Sequence, residues 1–472
     1  MQLAPAIVHI GVGGFHRAHQ GLYLDDVAAF TTAWGERGIG LLPTDRRIAD
    51  VLRDQDCLYT VVERDAHADS ARIVGSMRDY IFAPDEPERA LDALADATTQ
   101  IISLTITEDG YRVDEHTRVF DSTHPSILHD LETPSRPETV FGYVVEALDR
   151  RRREGLPPVT VLSCDNLQGN GGIARTAIES FARLRSDALA NWIAANVAFP
   201  DSMVDRITPQ TTDAHRMLVA DTFGVKDRWP VVAERYREWV IQDEFAAGHP
   251  PFDLVPSGNV RFVTDVEPYE TLKLRLLNGS HVSMGYLGAL AGYGQVQDVI
   301  ADPLFHDFIA RLMDEEIAPL LPPVPGVDVE NYERTLLERF ANPKIGDQVA
   351  RICLNGSAKM PKFLLPSVRE ALDQGRPHQF LTLALAGWLR YLRGVDERGA
   401  PIDIEDPLRE SLQALAVEGL ANPRPLLDIH PIFGTLGDNA DFVDELSAVL
   451  IVLDELGVRG ALERYLSSPA RP

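Results

Sequence analysis

Three polar side chains, Lys273, Asn278 and His281, stand in the largely apolar stretch PYETLKLRLLNGSHVSMGYLGALAGY (268–293). At 100° per residue in an α-helix, Asn278 lies about 140° and His281 about 80° around from Lys273, so all three can point toward one cleft. A lysine near a buried helix start loses hydration and feels the positive end of the helix dipole, and both effects lower its pKa. A lysine tuned in this way can take a proton from an alcohol near neutral pH. Each residue also has an ordinary reading, Lys273 as a snorkelling surface lysine and His281 as a hydrogen-bonded core histidine.

Further polar patches can serve the same chemistry. VLSCDNLQGNG (161–171) puts Asp165 and Asn166 just beyond a buried strand, the edge where open α/β sheets bind ligands. An asparagine there can donate to a developing alkoxide or a carbonyl oxygen, or simply close a turn. In DRITP (205–209), Asp205 can orient a base or pair with Arg206. Arg351 and Lys359, in RICLNGSAKMPKF, can bind substrate oxygens or be surface charges. Tyr269-x-x-x-Lys273 imitates the catalytic pair of short-chain dehydrogenases, but the chain is almost twice too long for them and its glycine pattern differs. No H-E-x-x-H or paired-cysteine spacing is present, so no catalytic metal is expected.

A second constellation lies near the start, where GVGGFHRAHQ (11–20) follows the apolar run Ala6–Ile10. Gly11 and Gly13 in a turn after a strand let the backbone approach a pyrophosphate, which then sits at the amide-rich start of the next helix. His16 stands where a third small residue is usual. The next requirement is an acid near the end of the second strand to bind the adenosine ribose. Asp45, in PTDRR, meets it after a long first crossover, or caps the following helix. Arg46 and Arg47 beside it are able to accept a 2′-phosphate, which leaves NADP open alongside NAD.

The elements that must position these groups alternate between β and α. Strands are expected at 6–10, Ile39–Leu42, Ile101–Ile106 and Val159–Cys164, with helices at Asp45–Gln55, Glu88–Ala95 and Ser135–Arg152. This alternation implies a mostly parallel sheet covered on both faces. Segments 58–65 and 71–82 read as extra strands of an antiparallel insertion. Beyond about residue 270 come long helical stretches, Pro303–Glu316, Val329–Phe340 and Gln379–Arg393, separated by prolines. The expected architecture is therefore an α/β unit over 1–270 and a mainly helical unit over 271–472, with SSPARP fraying at the end.

Composition narrows the partners. A formal charge of −26, from 45 basic and 71 acidic residues, argues against nucleic acid. No apolar run approaches the roughly 20 residues needed to span a bilayer, and the N-terminal apolar stretch reads as a strand rather than a signal peptide. Cys57, Cys164 and Cys353 are far apart in sequence, which fits a reducing cytoplasm.

Together, HIGVGGFHRAHQ, DRRIADVLRDQDCLYT, SLTITEDGY, SCDNLQGNG, MVDRITP, KLRLLNGSH, GSAKMPKF and GWLRYLRGVDERG resemble the long-chain, metal-independent mannitol dehydrogenase family of polyol-specific dehydrogenases. The resemblance implies an N-terminal Rossmann-type domain and a C-terminal helical domain, with substrate and nicotinamide between them. It implies Lys273 as general base, with Asn166 and Asn278 holding the reacting oxygen. His281, Asp205, Arg351 and Lys359 would bind the polyol or support that network, and Glu270 would pass the proton to solvent. Gly11, Gly13, Gly14, Phe15, His16, Arg17, Asp45 and Thr107 would hold NAD. Thr44 departs from the Glu-Asp pair of some members, so strict NAD selectivity is not implied. The implied reaction converts a sugar alcohol to a ketose, mannitol to fructose first, with arabinitol and glucitol as alternatives, in a monomer. Two rivals are a mannonate/fructuronate-type hexonate oxidoreductase and a non-catalytic NAD-binding regulator.

Overall fold

The run PAIVHI near the N-terminus becomes the central strand of a parallel sheet. The computed structural model describes residues 3–114, 117–255 and 259–467; the segment expected to fray lies, from 468 on, outside them. The chain divides into two units, residues 1–267 and 268–472. Among the described residues the first holds eleven strands: β1 (Pro5–Ile10), β2 (Gly35–Gly40), β3 (Tyr59–Arg64), β4 (Asp69–Val74), β5 (Met77–Phe82), β6 (Ile101–Leu104), β7 (Thr160–Ser163), β8 (Ser202–Asp205), β9 (Val231–Glu234), β10 (Glu238–Gln242) and β11 (Val260–Val263).

Strands β5, β2, β1, β6 and β7 lie in that order, every neighbouring pair parallel. This is a doubly wound order, in which the chain works outward from β1 and then restarts at β6 on its other side. The strands are buried on both faces, as parallel strands flanked by helices must be. On β1, Val8 and Ile10 join a core with the helices Pro87–Ala95, Val140–Glu154 and Asn170–Arg185, while Ala6 joins a second core with Tyr23, Leu24 and Trp239. Two three-stranded sheets complete the unit, in the orders β4-β3-β9 and β11-β10-β8.

Several expectations need correction. The second strand is GERGIG, not Ile39–Leu42: it starts four residues earlier and ends at Gly40. Its glycines conceal it from a hydrophobic pattern, yet packing demands one at Gly38, where an added Cβ would stand 2.7 Å from Val12 Cγ2. β3 and β4 do pair antiparallel, but Met77–Phe82 leaves that insertion and runs parallel to β2 at the main sheet's edge. The helix expected from Ser135 begins at Val140, where Thr139 caps it by accepting the amide of Gly142.

The second unit is helical. The helix Gly279–Leu290 packs on Gln379–Tyr391, which in turn packs on Ala440–Ser467. Gln379–Tyr391 is apolar almost all round, which suits a central position within this unit. Among the described residues, no helix is long and apolar enough to cross a membrane.

Candidate active site and dinucleotide cavity

The carboxyl ends of β1, β2, β5 and β6 open into a cavity of about 790 Å³ at the point where the strand order reverses. Gly11, Gly13, Asp45 and Thr107, all named from sequence, line it. Gly11 has φ +96°, and a Cβ there would fall 2.0 Å from the backbone oxygen of Thr105, so only glycine fits. Gly13 is different: its nearest neighbour would be 3.9 Å from a Cβ, which leaves its approach open. Paired glycines at a switch-point cavity fit a pyrophosphate-bearing dinucleotide.

Asp45 does not cap the helix after it. Its carboxylate turns back to accept the amide of Leu42 at 2.9 Å, and burial raises its pKa. Leu41, Leu42 and Pro43 line the cavity beside it, giving an apolar wall with one acceptor. Arg46 is paired with Asp85 at 2.5 Å and lies over the Phe82 ring, and Arg47 stacks 4.2 Å from the Trp229 ring centroid. Both arginines therefore have partners within this unit.

His16 and Arg17 turn their side chains inward: both are buried, and neither is among the residues that line the cavity. His16 stacks on His9 at 3.5 Å, and its Nε2 lies 3.0 Å from Glu36 Oε2. Burial pushes His16 down to about 3 and Glu36 up to about 7. Arg17 donates to the carbonyl of Trp229 at 2.5 Å. Phe15 stacks on His19, and Gly14 also lies outside the cavity lining. Of GGFHRAH, then, Gly13 lines the cavity, while His16, Arg17, Ala18 and His19 are buried in the unit.

Asp165 and Asn166 follow β7 at the same edge; Asp165 is buried and Asn166 exposed. Asp165 accepts the amides of Ile106 at 3.0 Å and Thr107 at 2.9 Å, and the Tyr111 hydroxyl at 2.7 Å. Thr107 has φ +63° and ψ 167°, a region almost exclusive to glycine that costs about 1–3 kcal/mol elsewhere. Sequence reasoning passed over this clamp because its members lie 58 residues apart. Asp205 is buried on β8, while its neighbour Arg206 donates to Glu63 at 2.6 Å and to the carbonyls of Glu234 and Ala18.

In the second unit, Lys273 and Glu270 are both buried, with Lys273 only 7% exposed, and Asn278 and His281 are half-buried. The expected α-helical spacing is wrong here, because Lys273–Asn278 is a π-helical turn between two α-helical stretches. In a π turn the hydrogen bonds run from i to i+5, so Asn278 rotates back toward the face of Lys273. Such turns occur often at functional sites. The helix begins at Glu267, six residues before Lys273, so the dipole of the first turn acts on it less than the sequence suggested. His281 packs against Phe340 with ring centroids 4.4 Å apart.

Arg351 and Lys359 lie on neighbouring helices, Val349–Cys353 and Gly356–Phe363. Arg351 makes a two-pronged ion pair with Asp347 at 2.6 and 2.7 Å. Lys359 Nζ donates to the carbonyl of Ile352 at 3.0 Å, closing the end of the first of these helices. Among the described residues, no group of three or more His, Cys, Asp or Glu could hold a metal ion.

The two units match two family models. Residues 5–254 match the Mannitol dehydrogenase Rossmann domain and 265–453 the Mannitol dehydrogenase C-terminal domain. Mannitol 2-dehydrogenase of Aspergillus terreus is 46% identical over 465 residues, covering 98% of this chain and 93% of that protein. That of Emericella nidulans is 47% identical with the same coverage. Among solved structures, the Pseudomonas fluorescens mannitol 2-dehydrogenase ternary complex with NAD and D-mannitol aligns at TM-score 0.86 and 42% identity, over 99% of this chain and 95% of that one. A D-sorbitol dehydrogenase in substrate-free form aligns at TM-score 0.91 and 34% identity, over 98% and 95%. With both units matched and relatives 46–47% identical over nearly the whole chain, the chain belongs to the mannitol dehydrogenase family.

Proposed function

We propose that this protein oxidises a secondary alcohol of a sugar alcohol to the ketone with NAD, mannitol to fructose first, using Lys273 as general base and no metal. The observation that carries this reading is a buried lysine followed, one π turn later, by Asn278. Support comes from a cavity in the first unit whose glycines and acid suit a dinucleotide.

The residues divide the work. NAD, when bound, supplies the acceptor for a hydride from the carbinol carbon. Gly11 and Gly13 would let the pyrophosphate approach the backbone, and Asp45 would accept from the adenosine ribose. Neutral Lys273 takes the hydroxyl proton as the C–H bond breaks and becomes the ammonium. Asn166 and Asn278 donate to the oxygen as it gains alkoxide character and then becomes a carbonyl. Glu270, three residues before Lys273 on the same helical run, takes the proton onward. His281, Asp205, Arg351 and Lys359 hold the polyol hydroxyls or the groups that do. In reverse, the Lys273 ammonium protonates the ketose oxygen.

Initial rates with mannitol, arabinitol, glucitol and mannonate, each with NAD and NADP and with EDTA present, test the proposal. Turnover of a polyol with NAD in EDTA is expected. Activity confined to mannonate moves the enzyme to hexonate chemistry, and loss of activity in EDTA removes the metal-free mechanism. NADH binding without turnover of any of the four favours a regulator.

A further inference from the structure

We propose that Asp165 is a positioning residue for the dinucleotide: its carboxylate holds Thr107 in a backbone conformation that otherwise only glycine adopts, and so sets the cavity wall beside the glycine turn. This rests on reading the cavity as the NAD site.

Thr105, Ile106 and Thr107 are three β-branched residues in a row, and each favours extended backbone with negative φ. Thr107 instead has φ +63° and ψ 167°, so something outside the segment holds it there. Two successive amides, Ile106 at 3.0 Å and Thr107 at 2.9 Å, converge on the two oxygens of Asp165. The Tyr111 hydroxyl adds a third donor at 2.7 Å and also meets Ser163 Oγ at 2.6 Å, at the end of β7. With only 8% of its surface exposed, the carboxylate is screened little by solvent.

The clamp reaches the ligand space directly. Thr105, Ile106 and Thr107 all line the cavity. The backbone oxygen of Thr105 occupies the space a Gly11 Cβ would need, and Thr105 Oγ1 donates to the Gly11 carbonyl at 2.6 Å. Releasing Thr107 into ordinary extended backbone therefore moves the wall that seats the glycine turn. A tie serving only to close a turn would stabilise the chain without requiring the one residue it holds to be strained.

A double-mutant cycle on the full-length protein tests this. Asp165→Asn keeps the shape but presents an amide N–H₂ to a backbone N–H. The Kd for NADH, from fluorescence titration, is expected to rise about tenfold in Asp165→Asn, but no more than about threefold when the same change is made in a Thr107→Gly background, because glycine keeps φ +63° unaided. Without nucleotide, the fall in Tm caused by Asp165→Asn should likewise shrink in that background. An Asp165→Asn protein that binds NADH like the wild type, or equal penalties in both backgrounds, overturns the proposal. If Asp165→Asn does not fold, Tyr111→Phe, which removes one donor, takes its place in the cycle with the same criterion. A wild-type protein that does not bind NADH overturns the reading of the cavity instead, a result distinct from normal wild-type binding with an insensitive variant.

Discussion

His16 Nε2 and Glu36 Oε2 meet at 3.0 Å with neither side chain exposed, beneath the glycine turn. The pair is tied sideways by the stacking of His16 on His9, whose ring nitrogens reach Ser103 and Thr105 at 2.9 Å each. The bracing of Gly11 thus extends from β1 to β2 and β6 through buried polar groups. Such groups are costly unless partnered, and their mutual bonds fix one arrangement of the turn.

That pair should leave a signature in the pH dependence of stability. Burial raises Glu36 from 4.5 to about 7, so its stabilising protonation is complete below 4.5 and is lost as pH rises through 7. His16 is lowered from 6.5 to about 3, so its contribution is present above 6.5 and is lost as pH falls toward 3. Between about 4.5 and 6.5 the two trends offset. The Tm advantage of wild type over Glu36→Gln is expected to shrink as pH rises from about 4.5 to about 7 and to level off above it, measured by thermal unfolding across that range. A constant difference would show that the carboxyl does not release a proton there.

Lys273→Ala should separate chemistry from cofactor binding. Removing a general base of this kind costs about 10²–10⁴-fold in kcat, while NADH titration should give a Kd close to that of the wild type. Asn278→Ala should also lower kcat, because its π-turn neighbour would then act on an unstabilised oxygen. Near-normal turnover in Lys273→Ala would assign the base elsewhere.

The two loop glycines should fail differently. Gly11→Ala places a Cβ 2.0 Å from a backbone oxygen at φ +96°, and should cost at least about 1–3 kcal/mol of stability together with NADH affinity. Gly13→Ala meets nothing closer than 3.9 Å, so its Tm should stay near that of the wild type while NADH binding weakens. Thermal unfolding and NADH titration on both variants check this contrast.

Within the run RRRR (150–153), Arg151 alone is buried. It donates to the carbonyls of Ala95, Asp96, Thr99 and Pro157, tying its helix to the approach to β6. Arg151→Ala would strand these acceptors and should lower the unfolding free energy by about 3 kcal/mol or more. Arg152, in an exposed pair with Asp149, should cost under about 1 kcal/mol. Denaturant unfolding of the two variants provides the comparison.

Much of the candidate site was legible locally. The apolar run before Gly11, the two glycines, Asp45 beyond the second strand and the lysine-asparagine-histidine stretch each carry their meaning in a few residues. For them the sequence by itself determined residue type, approximate element and plausible chemistry, because β-strand burial and glycine turns are short-range requirements. Long-range packing decided the rest. GERGIG is a central strand only because neighbouring side chains fill the space above its glycines, and Met77–Phe82 joins the parallel sheet by pairing with a strand forty residues earlier. His16 became a buried brace through Glu36, twenty residues away. The π turn changed the angle between Lys273 and Asn278, a shift no α-helical periodicity contains. Thr107 adopts a conformation its own side chain opposes, held by a carboxylate that arrives from another strand. Local preference cannot reveal such a state, since it exists only where tertiary hydrogen bonds outweigh that preference.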